Sequence, residues 1–343
     1  MTKKKVAIIC GGPSSEHEVS ALSGGGVLSG LDKTAFDAIL IGVTKAGEWV
    51  LLPDGYPLSI NKGVMPTIEI NENRIELREN GFLLNGRPLP VDCAFTVLHG
   101  EFGEDGQVQQ LLENSGIAYV GSGVQASAHA MDKSIAKAIF AQSGLVIAPG
   151  IEVTQLNWQK LTKDLTYPVF VKPASGGSSR GTHKVKEAGS LEKAITDGFF
   201  YDDKVLVEQA IDGREIECAV IERDGSLQTS VLGEIIVNPS FEFYDFQAKY
   251  LDDATTVEIP AQVGESDSIK IQEQAKTAFT ALGCRGLARC DFFYTQKGEI
   301  IINEINTMPG FTGTSVYPKL WAASGLGYTE LISTLINSAL RGD

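Results

Sequence analysis

Four residues near the end of the chain have the types and spacing to work together: Arg289 and Asp291, then Glu304 and Asn306. They sit in two runs rich in Ile, Phe and Tyr, separated by a break at Thr295–Gly298. Such runs about a Gly-containing break predict two strands joined by a tight turn. Side chains alternate faces along a strand, so Arg289 shares a face with Asp291, and Glu304 with Asn306. Pairing Thr295 with Ile300 sets Asp291 opposite Glu304 and Arg289 opposite Asn306. Opposed Cβ atoms lie about 5 Å apart, and like charges placed so repel. Two carboxylates and an amide oxygen on one surface therefore need a counter-ion. Hard oxygen donors on a partly open site suit Mg²⁺, which takes one or two carboxylates and substrate phosphates. A solvated face on an edge hairpin would carry similar residues. The Gly-rich run at 306–315, continuous with these donors, favours a site.

A second set of residues could hold an anion. Residues 174–182 are nearly all Gly, Ser and Thr, and consecutive backbone N–H groups in such a turn form an anion nest. The loop is not a Walker A sequence. Alone it would read as an ordinary turn, but Lys172 precedes it and Lys133 lies upstream. Two lysines and a nest beside a Mg²⁺ site describe a nucleoside triphosphate held by charge. Glu208 and Glu215 flank a strand connection and could accept from ribose hydroxyls or an exocyclic amine, although solvated carboxylates would look the same. Glu16 could pair with a substrate ammonium or serve as a helix's first-turn acid. His99 could hydrogen-bond a carboxylate or phosphate, or be structural. Arg289 either neutralises Asp291 or stabilises an oxyanion, with the Gly310 N–H as second donor.

These residues need elements to position them. Val6–Cys10 predicts a buried strand, followed by a Gly-rich turn and a small-residue helix to about Gly30. This is how open α/β sheets present ligand sites, although the dinucleotide fingerprint G-x-G-x-x-G is absent. Ala38–Val43 and Cys93–Leu98 predict further strands, and Gln107–Ser115 a helix. Residues 45–90 read as hairpin decoration without chemistry, with turns at Asn80-Gly81 and Asn85-Gly86. Ala126–Ser143 predicts one helix carrying Met131-Asp132-Lys133. Tyr167–Lys172 predicts a strand, Lys204–Glu215 a strand, turn and strand, and Ser266–Leu282 a helix stopped by Gly283. The aromatic stretch at 241–250 reads as a loop or lid. A last helix is expected over Tyr328–Arg341.

Composition sets limits. A chain of 343 residues with 43% hydrophobic and 21% charged content is globular and long enough for two or three domains. The net charge of −14 argues against nucleic acid or an anionic membrane as main partner. Five scattered cysteines form no zinc or C-x-x-C spacing and fit a reducing, cytoplasmic compartment. No run approaches the roughly 20 apolar residues of a membrane span.

Several motifs together resemble one family. They are the run from Gly11 to Ser20, the run from Leu98 to Gly106, Met131-Asp132-Lys133, the run from Glu242 to Tyr250, and Asn303 to Thr312. In this order they are similar to the D-alanine:D-alanine ligase family of the ATP-grasp superfamily, over residues 5–335. The resemblance implies an α/β and α+β chain: an N-terminal open α/β domain (1–124), a central ATP-grasp lobe (125–212) and a C-terminal lobe (213–343) carrying metal site and lid. It implies ATP and two Mg²⁺ (or Mn²⁺), the ions on Asp291, Glu304 and Asn306. Lys133, Lys172, Ser179 and Lys249 would hold phosphates, and Glu208, Gln209, Ile211, Glu215 and Phe243 the rest of the nucleotide. The first of two D-alanines would form an acyl phosphate, and the amine of the second would displace phosphate. Glu16, Ser178 and Tyr250 would be linked by hydrogen bonds that hold the lid. Arg289 and the Gly310 N–H would face the oxyanion, and His99, Ser315 and the Val316 N–H would bind substrate carboxylate. Tyr250 in the lid implies an amine acceptor. A D-alanine:D-lactate or D-alanine:D-serine ligase, and a non-catalytic nucleotide- or amino-acid-binding relative, are the alternatives. A homodimer follows by family analogy. Two positions depart from the family pattern: Arg180, which either adds a phosphate contact or points to solvent, and Glu101.

Overall fold

The computed structural model describes residues 2–177, 179–237 and 255–342. Ser178 and the stretch carrying Phe243, Lys249 and Tyr250 lie outside the described residues.

The predicted strand at Val6–Cys10 runs over Lys4–Gly11, and its last six residues are buried. A strand covered on both faces reads as a continuous apolar run, and this one is the centre of a five-stranded sheet. The order is Trp49–Leu51, Phe36–Val43, Lys4–Gly11, Cys93–Thr96, Ala118–Tyr119. Lys4–Gly11 pairs in parallel with both neighbours, so the chain leaves its carboxyl end first to one side and later to the other. That switch point opens the crevice where α/β sheets bind ligands. The helix His17–Gly30 covers it. Its small residues have a packing reason: a Cβ on Gly26 would fall 2.2 Å from the Phe311 carbonyl oxygen.

The decoration holds three antiparallel strands, Ile75–Arg78, Gly81–Leu84 and Arg87–Leu89. The excursion, expected to carry no chemistry, nevertheless packs against the site. The Ile68 N–H donates to His17 Nε2 (2.9 Å), and Tyr56, Leu58 and Met65 line the central cleft.

The middle sheet is antiparallel, in the order His183–Val185, Val169–Pro173, Lys204–Gln209, Gly150–Thr154. The third, also antiparallel, runs Thr255–Glu258, Ser226–Val237, Gly213–Arg223, Leu287–Thr295, Ile300–Asn306. Lys204–Gln209 and Gly213–Arg223 therefore belong to different sheets, and residues 210–212 carry the chain between them. The predicted helix over 126–143 is broken into Val124–Met131 and Lys133–Gln142. Asp132 is extended (ψ 100°), and its carboxylate caps the N–H groups of Ser134 and Ile135. An Asp here outcompetes helix continuation by satisfying orphan N–H groups.

Glu265–Leu282 buries Ile271, Ala275, Ala278 and Leu282 and stops at Gly283 (φ +71°), as the periodicity requires. Tyr328–Arg341 lies as predicted. Its Leu331, Ile332, Leu335 and Ile336 share one core with Val6, Ile8 and Phe95 of the first sheet. The two chain ends are thereby packed together around the cleft. Among the described residues, no helix is long and apolar enough to cross a membrane.

Candidate active site

A cleft of ≈ 1290 Å³ lies where the three larger sheets meet. The hairpin Leu287–Thr295 and Ile300–Asn306 forms one wall. Asp291 pairs with Glu304 and Arg289 with Asn306, as expected, but not through the expected anchor. Tyr294, not Thr295, faces Ile300, and the register shifts by one residue next to Asp291. A β-bulge absorbs the extra residue, Asn303. As a result Asn303 and Glu304, adjacent in sequence, both line the cleft.

Arg289 grips Asp291 with two hydrogen bonds (2.8 and 2.7 Å) and lies 3.1 Å from buried Glu217. Asn306 Nδ2 donates to Asp291 (3.0 Å). As it stands, then, Arg289 is the counter-ion of the acidic wall. Among the described residues, no group of three or more His, Cys, Asp and Glu side chains gathers as a metal nest. Two carboxylates and an amide are a sparse, hard-oxygen set. That set fits Mg²⁺, which keeps positions for water and phosphate oxygens, and not a closed all-protein site.

The opposite wall is basic. Lys133 starts its helix after Asp132, and its Nζ donates to the Gly176 carbonyl of the small-residue loop. In that loop Ser179 and Gly181 have φ of +56° and +63°, the kind of backbone from which a nest is built. Arg180 lines the cleft and is exposed, whereas Glu101 is exposed away from it. Lys172 Nζ donates to Glu208 Oε2 (3.0 Å) and to Asn303 Oδ1 (3.3 Å). Glu208 is 2% exposed, and its other oxygen meets the equally buried Lys137 at 2.9 Å. Burial alone would raise the Glu208 carboxyl, but the two ammonium groups outweigh it and hold it at about 2. Both of its oxygens thus face lysines. Gln209, Ile211 and Glu215 line the cleft beside it, at the crossing between sheets.

The first domain closes the third side. Glu16 is 6% exposed, and its carboxylate is wedged between two loops. A Cβ on Gly100 would lie 2.7 Å from Glu16 Oε2, and one on Gly177 2.8 Å from it. Gly100 also has φ +70°, so a side chain there would be strained twice over. His99 Nε2 meets Ser23 Oγ (2.9 Å), which accepts from the Phe311 N–H (3.3 Å). Burial pushes the His99 ring below its ordinary value, against the pull of the Glu16 carboxylate. Ser315 begins the helix Val316–Ala323, and its Oγ meets Thr312 Oγ1 (2.7 Å) at the floor beside Gly310.

Every described residue to which the sequence gave a catalytic, binding or metal role lines this one cleft. Three residues escaped that reading. Glu104 accepts from the Gly100 N–H (2.7 Å), and burial with the Glu16 carboxylate pushes its carboxyl up to about 8. The run from Leu98 to Gly106 contained it, but nothing in spacing separated it from Glu101. Lys137 and Glu217 carried no signal beyond being charged residues in apolar surroundings.

Comparison with known proteins agrees along the chain. The family described as D-ala D-ala ligase N-terminus matches residues 5–122, and D-ala D-ala ligase C-terminus matches 139–337. A D-alanine–D-alanine ligase of Arthrobacter sp. (strain FB24) is 46% identical, covering 99% of this chain and 94% of the relative. D-alanine–D-alanine ligase A of Salmonella typhimurium is 44% identical, covering 99% and 97%. Among solved structures, the VanG D-Ala:D-Ser ligase of Enterococcus faecalis superposes with TM-score 0.87 at 35% identity, covering 98% of this chain and all of that one. The D-alanine-D-alanine ligase of Coxiella burnetii gives 0.84 at 33% identity, covering 100% and 95%.

Proposed function

The chain belongs to the D-alanine–D-alanine ligase family, and we propose that the cleft between its sheets is where it performs the family's reaction. The protein is an ATP-dependent carbon–nitrogen ligase with the ATP-grasp fold. It joins two D-alanines into D-alanyl-D-alanine for peptidoglycan precursor synthesis. The observation that carries the assignment of the site is the meeting, in one cleft, of the Asp291–Glu304 wall with Lys133 and Lys172.

A carboxylate is a poor acyl donor until a good leaving group is attached. Its attack on the γ-phosphorus of ATP supplies one: an O–P bond forms, giving an acyl phosphate, as the bond from that phosphorus to the β–γ bridging oxygen breaks and ADP leaves with its electrons. The amine of the second D-alanine, as the free base, then attacks the carbonyl, the C–N bond forms, and phosphate departs with the C–O bond's electrons while the nitrogen gives up its extra proton to the phosphate. Lys133, Lys172 and the loop at Ser179 hold phosphates, with Lys249 from the lid. Gln209, Ile211 and Glu215 take adenine and ribose, with Phe243. Glu208 acts through Lys172, since both its oxygens are engaged. Two Mg²⁺ (or Mn²⁺) on Asp291, Glu304 and Asn306 would neutralise phosphate charge. Arg289 and the Gly310 N–H face the oxyanion, and Glu217 steadies Arg289. His99 faces a D-alanine carboxylate, while Ser315 and the Val316 N–H use a helix start for the second carboxylate. Glu16 and Glu104 face a substrate ammonium. Ser178 and Tyr250, outside the described residues, keep the role that the family resemblance implies: with Glu16 they would exclude water from the acyl phosphate.

The division at 124 and 212 is part of this reading, because each sheet falls within one of the three segments. So are a homodimer and a cytoplasmic location. The test is phosphate release from ATP and Mg²⁺ with D-alanine, D-serine or D-lactate, the product identified by mass. D-alanyl-D-alanine as the preferred product is expected. A D-serine or D-lactate adduct formed in preference would overturn the acceptor assignment, and no D-alanine-dependent phosphate release would overturn the site.

A further inference from the structure

Lys137 lies one helical turn beyond Lys133, with a side chain only 5% exposed. It does not line the cleft. Its ammonium meets Glu208 Oε1 at 2.9 Å, and Glu208 Oε2 meets Lys172 Nζ at 3.0 Å. Lys172 reaches on to Asn303 Oδ1 at 3.3 Å. The line of contacts passes from the helix through two strands of the middle sheet to the bulge in the acidic hairpin. It spans both lobes.

A lysine so deeply placed is unfavourable for packing alone. An apolar side chain would fill the space without desolvating two charges. What the charge does is divide the Glu208 carboxylate between two partners. With one oxygen held by Lys137, Glu208 presents only the other to Lys172. An ammonium has three donors. Among the described residues, Lys172 uses two, on Glu208 and Asn303, which leaves one for the cleft. Without Lys137, Oε1 is a buried acceptor with no cation, and it draws Lys172 Nζ toward the middle sheet and off Asn303.

We infer that Lys137 is a positioning residue for the nucleotide: by holding Glu208, it aims the Lys172 ammonium at the phosphates of ATP. This rests on reading the cleft as the ATP site.

The experiment uses the full chain and its Lys137→Met, Lys137→Gln and Glu208→Gln variants, with the Lys137→Met/Glu208→Gln pair. Phosphate release is followed with ATP and D-alanine varied separately, well below each variant's Tm. Lys137→Met raises KM for ATP about 10-fold or more while KM for D-alanine stays within about 2-fold. Lys137→Gln, a neutral donor to Oε1, recovers part of the loss. In the Glu208→Gln background, Lys137→Met changes KM for ATP by less than about 2-fold, because the carboxylate it serves is gone. KM for ATP unchanged in Lys137→Met, or raised equally with and without Glu208, overturns the inference. Equal rises in both KM values would mark a structural role and overturn it too. Should Lys137→Met not fold, the Gln variant alone and combined with Glu208→Gln carries the same comparison. Failure of the wild-type chain to release phosphate with D-alanine overturns the site reading instead.

Discussion

The acidic hairpin and the Lys137–Glu208–Lys172 cluster are both charged constructions on one cleft, and they are built in opposite ways. In the hairpin, Arg289, Asp291, Glu304 and Asn306 come from two adjacent strands within 18 residues of chain, and Arg289 answers the acids locally. The cluster draws on a helix and two strands spread from residue 137 to 208, and its carboxylate is nearly solvent-free. The hairpin is partly open, so its charges can exchange partners with a ligand. The cluster is closed, so its charges can only orient one another. Openness suits chemistry, and closure suits aim.

Substitutions separate the two roles. Asp291→Asn or Glu304→Gln should lower kcat for D-alanine-dependent phosphate release about 10³-fold, with the fold intact by circular dichroism. A loss under 10-fold would put the metal site elsewhere. Arg289→Met should lower kcat about 10²-fold with little change in KM for ATP. If only the melting temperature moves, Arg289 is a counter-ion of Asp291 and nothing more.

Glu104 tests the third wall by pH. Its ordinary value is 4.5, and the fold holds it at about 8. Between those values the native state binds a proton that the unfolded chain has released. Stability therefore falls as pH rises through that window, by up to about 1.4 kcal/mol per unit, and the contribution is fully lost above about 8. Glu104→Gln cannot titrate, so its melting advantage over the wild type should grow from pH 5 to pH 8. Parallel melting curves would mean that Glu104 is not held protonated. The smallest effect is expected at the joint between the two regions. Asn303→Ala should raise KM for ATP a few-fold, as for one hydrogen bond of about 1 kcal/mol, and leave kcat nearly unchanged. A fall in kcat matching Glu304→Gln would show the bulge to be part of the acidic wall.

The hairpin also shows why a sequence reading can reach the right residues by an imperfect route. Strict alternation from a Thr295–Ile300 anchor paired Asp291 with Glu304, and the structure pairs them too, after a one-residue slip and a bulge that cancels it. Alternation could not reveal that Asn303 faces the cleft beside Glu304. The helix break at Asp132 has a similar origin: helical periodicity continues across it, while a side-chain cap ends it. Family motifs marked the residues of the cleft, because those stretches combine Gly-rich backbone with polar side chains that an ordinary core would exclude. The structural likeness to a D-Ala:D-Ser ligase as well as to a D-Ala-D-Ala ligase shows that the scaffold alone does not choose the acceptor.

By itself the sequence determined the elements and their local faces: the buried strand at Lys4–Gly11, the stop at Gly283, the last helix, and the shared face of Asp291 and Glu304. These follow from short-range rules of periodicity, capping and backbone sterics. Tertiary structure alone decided that Lys137 and Lys172 divide one carboxylate, that Glu16 is wedged between Gly100 and Gly177, and that Glu104 is held near pH 8. Each depends on desolvation and on charges brought together from distant parts of the chain, and neither quantity exists until the chain has folded.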